Sequence, residues 1–598
     1  MNDHEMKKKF WNALAAAAVV SGLSWGMSLS AEAADIQVLP IDRAKLWQGQ
    51  QFDFEVEVKD AVGLQDIQVT IDGKDAGDFF GKTGEIKSQG GITTYSIKNA
   101  AFPKTGTYTV EAAATDTLGT SKSAAAYTVV QEKAQKKAKN VILFVGDGMS
   151  MQAKEVARIL SKGITEGKYN GLLAMETMPH MALITTSGYD SLVTDSANSA
   201  SAYATGNKSV VNAMGVYANS TPDPLDDPKV ENISEILKRT KGMSIGLVST
   251  ANITDATPAA MAAHTRRRAE QNFIAQNFLA EEHRPDVILG GGARQFIPMN
   301  IPGSKRKDNV DVIAQFKEAG FQFVENKTQL EDAGTDKPIL GLFHMDNMNV
   351  YVDRAMLKNP NVLKGFTDQP GLVDMTKKAI SRLEKNPNGF FAMIEGASID
   401  KQLHVMDWQR AAYDTIEFDK AIEYAKEYSK AHGDNTLIIV VADHGHGISI
   451  TGTYHENDGK TGTEAVRTYQ NAGWPTFEDA DRDGFPDNPD PDVTLAVQYA
   501  NHPAHYVNYR FNNVPTPPAL SENGRAIPNP ARSLLGDKGE VMPGNIPADE
   551  TQEVHSADDV VLMAQGPGSE YFNGVMDNTE VFFGMLRALG VEGNKNIK

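Results

Sequence analysis

The stretch VILFVGDG, residues 141–148, decides the fold class of this 598-residue chain, because an unbroken apolar run ends in an aspartate flanked by glycines. Three later runs have the same form, at 245–249 (IGLVS), 390–394 (FFAMI) and 436–441 (TLIIVV). Helical periodicity lies between these runs, as in DMTKKAISRLEKN and DTIEFDKAIEYAKEYSKA. Strands that are apolar on both faces and alternate with helices predict an α/β fold with a mainly parallel sheet between helix layers.

The bulk composition limits the classes of function that the chain can serve. Its length predicts two or more domains, and 41% apolar with 23% charged residues is typical of globular proteins. A formal net charge of −19 would repel phosphates along a nucleic acid, so we expect no nucleic-acid-binding role. The absence of cysteine excludes disulfides, thiolate zinc sites and cysteine nucleophiles.

The first 33 residues have the pattern of a signal peptide. Three lysines precede an apolar run at 10–29, and Ala31-Glu32-Ala33 forms an A-x-A cleavage site. The alternative is an uncleaved membrane anchor, but serines and glycines interrupt the run. We expect an exported protein, periplasmic or extracellular, without a stable membrane anchor.

Residues 34–130 predict an all-β immunoglobulin-like sandwich that precedes the α/β part. The segment FDFEVEVKD alternates strictly, with Phe52, Phe54, Val56 and Val58 on one face. IQVTIDGKD carries an Asp-Gly turn signal, and GTYTVEAAATD alternates again. A spacer or binding module is the default interpretation, and the sequence does not indicate its ligand. We interpret the lysine-rich residues 131–139 as a linker and 140–598 as the catalytic domain, with a Pro- and Gly-rich insertion at about 447–550.

Polar side chains follow all four apolar runs, where a parallel sheet of this kind binds its ligands. Carboxylates and imidazoles without thiolates are the ligands that zinc and magnesium use, and clustered anions need cations to neutralise them. These strand-end candidates are Asp147, Asp255, Thr257, Glu395, Asp400, Lys401, His404, Asp443, His444 and His446.

The segment LVTDSANSASAYATG, residues 192–206, supplies several hydroxyl groups among small residues. A serine at a helix start beside zinc can act as an alkoxide nucleophile, because both the metal and the helix dipole favour the anion. The spacing alone does not say which serine does so. Arg268, in AHTRRRAE, adds a donor suited to a pair of phosphoryl oxygens. Together these groups indicate phosphoryl transfer.

The motifs GDGM, VTDSANSASAYATG, STANITDATPAAMAAH, EGASIDKQLH and ADHGH occur in the order found in alkaline phosphatases, which the chain resembles from Asn140 to Gly590. The resemblance implies an alkaline phosphatase that hydrolyses small phosphate monoesters. Ser196 would be the nucleophile that forms a phosphoserine, and Arg268 would clamp the phosphate. A homodimer is the expected assembly.

The same resemblance implies two zinc ions and one magnesium ion. One zinc would be held by Asp400, His404 and His555; the other by Asp147, Asp443 and His444; and magnesium by Asp147, Thr257 and Glu395. Asp255 and Lys401 would lie just outside the ligands, and His446 would lie near zinc without being a required ligand. The alternative for His555 is a solvated loop histidine.

The insertion contains a candidate calcium loop, EDADRDGFPDNPD. Asp479, Asp481, Asp483, Gly484, Asp487 and Asp490 occupy positions 1, 3, 5, 6, 9 and 12 of such a loop. A solvated acidic turn is the alternative. A bound Ca²⁺ would have a structural role, because no flanking helices are evident.

Two other functions stay open at this level. A phosphodiesterase of the same superfamily is disfavoured by Arg268 and the magnesium residues, which suit the extra charge of a monoester. A cell-surface binding protein with a relic metal domain would be expected to lose some of its clustered charges. A sulfatase would need a C/S-x-P-x-R motif, which does not follow Ser196.

Overall fold

The computed structural model describes residues 34–532 and 539–593. The predicted signal peptide, residues 1–33, lies outside the described residues. Within them, none of the helices combines the length and the apolar character that crossing a membrane requires.

A ten-stranded mixed sheet forms the centre of the molecule. Its strands are, in spatial order, Gln322–Val324, Ile339–Leu342, Val287–Gly291, Ser244–Asn252, Phe390–Glu395, Asn140–Gly146, Thr436–Ala442, Val560–Gln565, His180–Thr185 and Gly574–Asp577. Only Val560–Gln565 runs antiparallel to its neighbours. The four apolar runs lie in four adjacent central strands that are buried throughout, so the prediction of a mainly parallel sheet is confirmed.

Helices pack against this sheet and against one another. The helix Leu372–Leu383 contacts the strand Ser244–Asn252 and the long helix Trp408–Ala431, while Glu580–Leu589 contacts Ser196–Thr205. The other α-helices are Ala76–Phe80, Met151–Lys162, Ile233–Lys241, Ala256–Ala260, Gln271–Asn277, Val312–Glu318, Lys327–Asp332, Pro360–Leu363 and Ser398–His404. Both helices predicted from periodicity, at Leu372–Leu383 and Trp408–Ala431, are present.

Two further sheets, here called the N-terminal sheets, are built from residues 35–130 and share one apolar core. One contains Asp35–Leu39, Phe52–Lys59, Ile92–Ala100 and Glu85–Gln89. The other contains Lys45–Trp47, Gly119–Val130, Gly106–Asp116, Asp66–Ile71 and Lys74–Asp75. Residues 131–139 contain no helix or strand.

The strand Phe52–Lys59 departs from the half-buried pattern that its alternation predicts. Its apolar residues face the core as expected, but the intervening acids Asp53, Glu55 and Glu57 are buried too. They are covered by residues 219–229, whose polar groups bond to them: the backbone N–H of Ser220 donates to Glu57, and the Asn219 amide donates to Glu55 at 3.3 Å. The acidic face of this strand therefore packs against the rest of the protein and is not exposed to solvent.

A docking contact joins the N-terminal sheets to the remainder of the chain through residues 49–57 and 205–239. Gln50 Nε2 donates to the carbonyls of Thr205 (2.9 Å) and Glu231 (3.0 Å). Arg239 forms a two-pronged ion pair with Glu231 at 2.6 and 2.7 Å and also reaches the Gly49 carbonyl. The N-terminal sheets are thus fixed to the end of the helix Ser196–Thr205, and a freely tethered module is not what the structure contains.

The insertion consists of short strands and loops. A three-stranded sheet orders Val466–Arg467, Ile448–His455 and Val493–Tyr499. Two-stranded pairs join His505–Val507 to Glu540–Met542 and Leu520–Glu522 to Arg525–Ile527. Outside the insertion, Ile164–Thr165 pairs with Lys168–Tyr169, and Gly445–His446 pairs with His555–Ser556.

Candidate active site

Strand register brings the polar strand ends to one place. Val145 and Ser249 both lie opposite Glu395, and Gly146 lies opposite Ala442, so Asp147, Glu395 and Asp443 emerge at nearly the same level. All three are buried. The backbone N–H groups of Gly148 and His444 each donate to Asp443 Oδ1 at 3.0 Å, which fixes that carboxylate. Parallel strands explain why acids far apart in sequence converge.

Ser196 begins the helix Ser196–Thr205 and faces this group. Asp195 caps the helix by accepting from the Asn198 N–H, so the serine occupies the first helical turn, where the dipole favours negative charge. Its Oγ lies 3.1 Å from His444 Nε2 and 3.4 Å from Asp147 Oδ1. The small residues around it are all buried, and Tyr203 donates to the Ala442 carbonyl at 2.6 Å. Close packing thus sets the hydroxyl against the strand ends.

Asp400 is the centre of a first cluster with three histidines. Its Oδ1 lies 2.6 Å from Nε2 of His446, 3.3 Å from that of His404 and 3.5 Å from that of His555. His404 and His555 each form a hydrogen bond from Nδ1 to a backbone carbonyl, at 2.6 and 2.8 Å. In both rings this leaves Nε2 directed at the cluster. Such a second hydrogen bond is the usual support of a metal-ligating imidazole.

Asp147, Asp443 and His444 form a second, adjoining cluster. His444 Nε2 lies 3.3 Å from Asp147 Oδ1 and 3.5 Å from Asp443 Oδ2, and the ring stacks on His555 at 3.5 Å. Asp443 Oδ2 and His444 Nδ1 are buried and have no hydrogen-bond partner among the described residues. Buried polar atoms without partners are rare in proteins, and Asp443 Oδ2 lies in the cluster, so this oxygen calls for a ligand.

The residues expected at magnesium lie in the same region. Glu395 accepts a hydrogen bond from the Ser249 hydroxyl. Thr257 is the second residue of the helix Ala256–Ala260, and its buried Oγ1 has no partner within the described part of the chain. Burial, with Asp147 nearby, raises the pKa of Glu395 to about 8. A cation is needed if this carboxylate is to stay ionised at neutral pH.

Two cations face the acids. Arg268 Nη2 lies 2.8 Å from Asp255 and Nη1 lies 3.2 Å from Asp195, so two carboxylates orient the guanidinium. Lys401 Nζ lies 3.0 Å from Asp400, 3.6 Å from Asp255 and 3.7 Å from Asp147. The Arg268 side chain keeps 24% of its surface exposed, so an anion can reach it from solvent.

Burial shapes the protonation of the histidines. Burial lowers the pKa of His404 to about 3 and that of His444 to about 4, and neighbouring imidazoles add to the effect. Both are therefore neutral at physiological pH, the form that binds metals. His446 differs: burial alone would lower its pKa, but the Glu553 and Asp400 carboxylates raise it to about 10. That ring is a charged bridge between two acids.

Residues 138–591 match the sequence model of the alkaline phosphatase family, which covers most of the chain. The chain belongs to the alkaline phosphatase family. Its enzyme class is therefore that of the alkaline phosphatases, which hydrolyse phosphate monoesters.

Several named relatives support this membership. Alkaline phosphatase H of Pseudomonas aeruginosa is 37% identical over 54% of this chain and 72% of its own length. The alkaline phosphatase of Escherichia coli is 36% identical over 53% of this chain and 72% of its own length. The crystal structure of Thermus thermophilus alkaline phosphatase superposes with a TM-score of 0.55, over 77% of this chain and 93% of that one, at 24% identity. This last likeness concerns the fold.

Sequence reasoning did not single out three residues of the candidate site. Glu553 holds His446 with its carboxylate at 3.2 Å and His404 with its carbonyl. Asp195 both caps the Ser196 helix and orients Arg268. Ser249 donates to Glu395. The signal available was proximity, since Glu553 and Asp195 stand within two positions of His555 and Ser196, but proximity in sequence does not reveal side-chain direction.

The acidic loop of the insertion brings together part of its predicted set. Asp479, Asp481 and Asp483 place carboxylate oxygens within 4.8 Å of one another, and Asp479 Oδ1 is buried without a partner among the described residues. Asp487 instead accepts from the Ala480 N–H at 2.7 Å. Asp490 forms an ion pair with Arg510 at 2.7 Å. The carboxylates of the first half of the loop lie close together, whereas the last carboxylate of the loop is paired with an arginine.

Proposed function

We propose that phosphate monoester hydrolysis in this protein proceeds through a phosphoserine at Ser196, in a site that holds two zinc ions and one magnesium ion. The observation that carries the proposal is the position of the Ser196 hydroxyl, which starts a helix and lies 3.1 Å from His444 and 3.4 Å from Asp147. A nucleophile needs this placement at the edge of a cluster of ligand atoms.

The donor atoms suit the three ions. Two imidazoles and a carboxylate converge for one zinc, a second imidazole-carboxylate group adjoins it, and hard oxygens suit magnesium. The unpartnered atoms Asp443 Oδ2 and Thr257 Oγ1 favour occupation by ligands from outside the chain. We assign Asp400, His404 and His555 to one zinc, Asp147, Asp443 and His444 to the other, and Asp147, Thr257 and Glu395 to magnesium.

The chain's own groups then have defined tasks. Bound metal ions supply positive charge that favours ionised Ser196 and stabilises oxygens of the transferring group. Ser196 Oγ forms a bond to phosphorus as the bond to the alcohol oxygen breaks, and water later releases inorganic phosphate from the serine. Arg268, held by Asp195 and Asp255, donates two hydrogen bonds to non-bridging oxygens. Lys401 adds charge beside them.

A monoester preference follows from the same residues. A monoester carries one more ionisable oxygen than a diester, and the Arg268 guanidinium offers paired donors to two such oxygens. Diester hydrolysis is the second candidate function. A monoester has three non-bridging oxygens and a diester has two, so a diester with one of them at the metal ions would leave one Arg268 donor facing an esterified oxygen.

Export, assembly and the relationship of the N-terminal sheets are further proposals that start from the sequence. We propose that residues 1–33 direct export to the periplasm or beyond, and that the protein forms a homodimer as its family resemblance implies. We also propose an immunoglobulin-like relationship for residues 34–130, supported by two β-sheets that share an apolar core.

We propose that the acidic loop binds Ca²⁺ in a structural role. Three gathered carboxylates and the buried oxygen of Asp479 support it. Calcium should raise the melting temperature, and Asp479→Asn should remove that response without loss of activity per folded molecule. An unchanged response in the variant would refute the assignment.

The main proposal is tested with the purified protein at mildly alkaline pH. Hydrolysis of an aryl phosphate monoester and of the matching diester is measured before metal stripping, after it, and after zinc and magnesium are returned. We expect a strong monoester preference that disappears and returns with the metals. A diester preference would remove Arg268 from its assigned role, and hydrolysis that survives complete stripping would refute the metal site.

A further inference from the structure

A buried cluster of two histidines and a glutamate lies away from the strand ends described above. Glu235 belongs to the helix Ile233–Lys241, His264 follows the helix Ala256–Ala260, and His283 precedes the strand Val287–Gly291. The side chains of His264 and His283 are only 3% and 2% exposed. One ligand atom from each of the three residues lies within 4.8 Å of the others.

The donor atoms of the cluster point at one another. Glu235 Oε1 lies 3.0 Å from His264 Nε2 and 3.5 Å from His283 Nδ1. Zinc-to-ligand bonds of about 2.0–2.2 Å in a tetrahedron place neighbouring ligand atoms roughly 3.3 Å apart. The observed separations therefore bracket the spacing that one such ion requires.

Hydrogen bonds to backbone carbonyls fix which ring nitrogens carry protons. His264 Nδ1 lies 2.7 Å from the Gly215 carbonyl, and His283 Nε2 lies 2.8 Å from that of Asn277. A carbonyl only accepts, so both of these nitrogens carry hydrogen. In neutral rings, the lone pairs of His264 Nε2 and His283 Nδ1 are then turned toward the Glu235 carboxylate.

That arrangement needs a positive charge at its centre. Burial lowers the pKa of His264, but the Glu235 carboxylate outweighs burial and the net shift is upward, so one proton could satisfy that contact. The amide nitrogen of Asn232 also lies 3.3 Å from His264 Nε2, where it donates only if that nitrogen is unprotonated. His283 Nδ1 has no hydrogen-bond partner within the described residues. A single proton on His264 leaves this buried nitrogen unsatisfied.

We propose that Glu235, His264 and His283 bind a zinc-class divalent ion at a site separate from the catalytic metals. Two imidazole nitrogens and one carboxylate oxygen, each imidazole oriented by a backbone carbonyl, form the ligand set that such ions select. A cavity of about 720 Å³ beside the docking contact is lined by Glu235 and His264, which gives the ion a route from solvent and a place for water as a fourth ligand.

The position of this site indicates a structural role. The site ties the helix Ile233–Lys241 to the segment 264–268. At the end of this segment, the backbone N–H of Arg268 donates to the Asn212 carbonyl at 2.9 Å. Arg239, four residues after Glu235, anchors the N-terminal sheets through Glu231. An ion here would therefore brace the phosphate-binding arginine and the docking contact together.

The test counts metal in the full chain. Wild type, His283→Gln and Glu235→Gln are reconstituted with zinc, freed of loose metal, and analysed by mass spectrometry for zinc per folded chain. Gln at 283 can still donate to the Asn277 carbonyl while the Nδ1 ligand is lost. We expect each variant to retain about one zinc fewer than wild type. The control His432→Gln removes a half-exposed histidine and should lose none.

A second measurement keeps the test independent of the catalytic metals and of a folding defect. In a His404→Ala/His444→Ala/His555→Ala background, which removes imidazole ligands of both assigned zinc sites, zinc added to stripped protein should still raise the melting temperature, and adding His283→Gln should abolish that rise. Equal zinc content in wild type and His283→Gln, or no zinc-dependent rise in the background variant, would show that the cluster is a protonated ion pair and overturn the proposal.

Discussion

The carboxyl edge of the central sheet and the docking contact of the N-terminal sheets both bury charged groups, but they satisfy them differently. At the docking contact, Glu231 is met by Arg239 and by the Gln51 N–H, and Glu57 by the Ser220 N–H. At the sheet edge, Asp443 Oδ2 and Thr257 Oγ1 have no partner among the described residues. Buried polar groups that have partners hold a structure together, whereas unpartnered ones gathered among other possible metal ligands indicate a site for something that is not protein.

The largest effect should follow from removing the proposed nucleophile, Ser196, at the sheet edge. Ser196→Ala should lower monoester hydrolysis by roughly 10³-fold or more, because the variant lacks the hydroxyl that we propose forms the covalent intermediate. Steady-state rates per folded molecule measure this loss. Ser201→Ala removes a buried hydroxyl from the same helix that accepts from the Gly215 N–H, and its rate should stay within about threefold of wild type. A comparable loss of hydrolysis rate in Ser196→Ala and Ser201→Ala would show that Ser196 is not the nucleophile.

A smaller loss is expected at Arg268, the arginine that we propose binds phosphate. Arg268→Ala should reduce kcat/KM for a monoester by about 10²-fold, since paired charge-assisted hydrogen bonds disappear. Arg268→Lys should recover only part of this, because an ammonium cannot present the planar pair of donors. Initial-rate kinetics with inorganic phosphate as a competing ligand measure both effects. Full recovery with lysine would show that charge alone is used.

At the docking contact, the change should appear in stability. Arg239→Ala strands the buried Glu231 carboxylate and should lower the free energy of unfolding by about 3 kcal/mol. Denaturant unfolding of this variant is compared with that of Lys87→Ala, whose ion pair with Glu85 is exposed and should contribute less than about 1 kcal/mol. Equal destabilisation by both would mean that the contact is not a structural element.

The smallest effect concerns pH at the same contact. Burial raises the pKa of Glu55 to about 7, from an ordinary value of 4.5. The folded state therefore binds a proton at the Glu55 carboxyl more tightly than the unfolded state does. The contribution of Glu55 to the stability of the protein falls as pH rises from about 4.5 to about 7. Glu55→Gln should stabilise the protein by about 1–2 kcal/mol above pH 7 and by little at pH 4.5. Melting temperatures across that range measure the difference, and a constant offset would contradict it.

The central strands were predictable because strands buried on both faces leave unbroken apolar runs, as at Asn140–Gly146. Their register was not visible, yet parallel topology alone was enough to bring Asp147, Glu395 and Asp443 together. The short outer strands Gln322–Val324 and Gly574–Asp577 carry no such run, since three or four residues are too few for a pattern.

Other features depend on partners distant in sequence. Alternation in Phe52–Lys59 correctly indicated which residues face the core, but a periodic pattern does not distinguish a face that meets water from one that meets a polar segment such as 219–229. His555 reaches the site through the pairing of Gly445–His446 with His555–Ser556, and the bridging role of Glu553 exists only in that geometry. The motif resemblance supplied the first of these residues and not the second.

The most direct test of the account is to trap the covalent intermediate. The protein, with its metals bound, is mixed with a phosphate monoester and quenched in acid, and its peptides are mapped by mass spectrometry. We expect the mapped peptides of the wild type to carry a phosphoryl group on Ser196, and the corresponding peptide of Ser196→Ala to carry none. Phosphorylation at another residue, or steady monoester hydrolysis by Ser196→Ala at the wild-type rate, would contradict it.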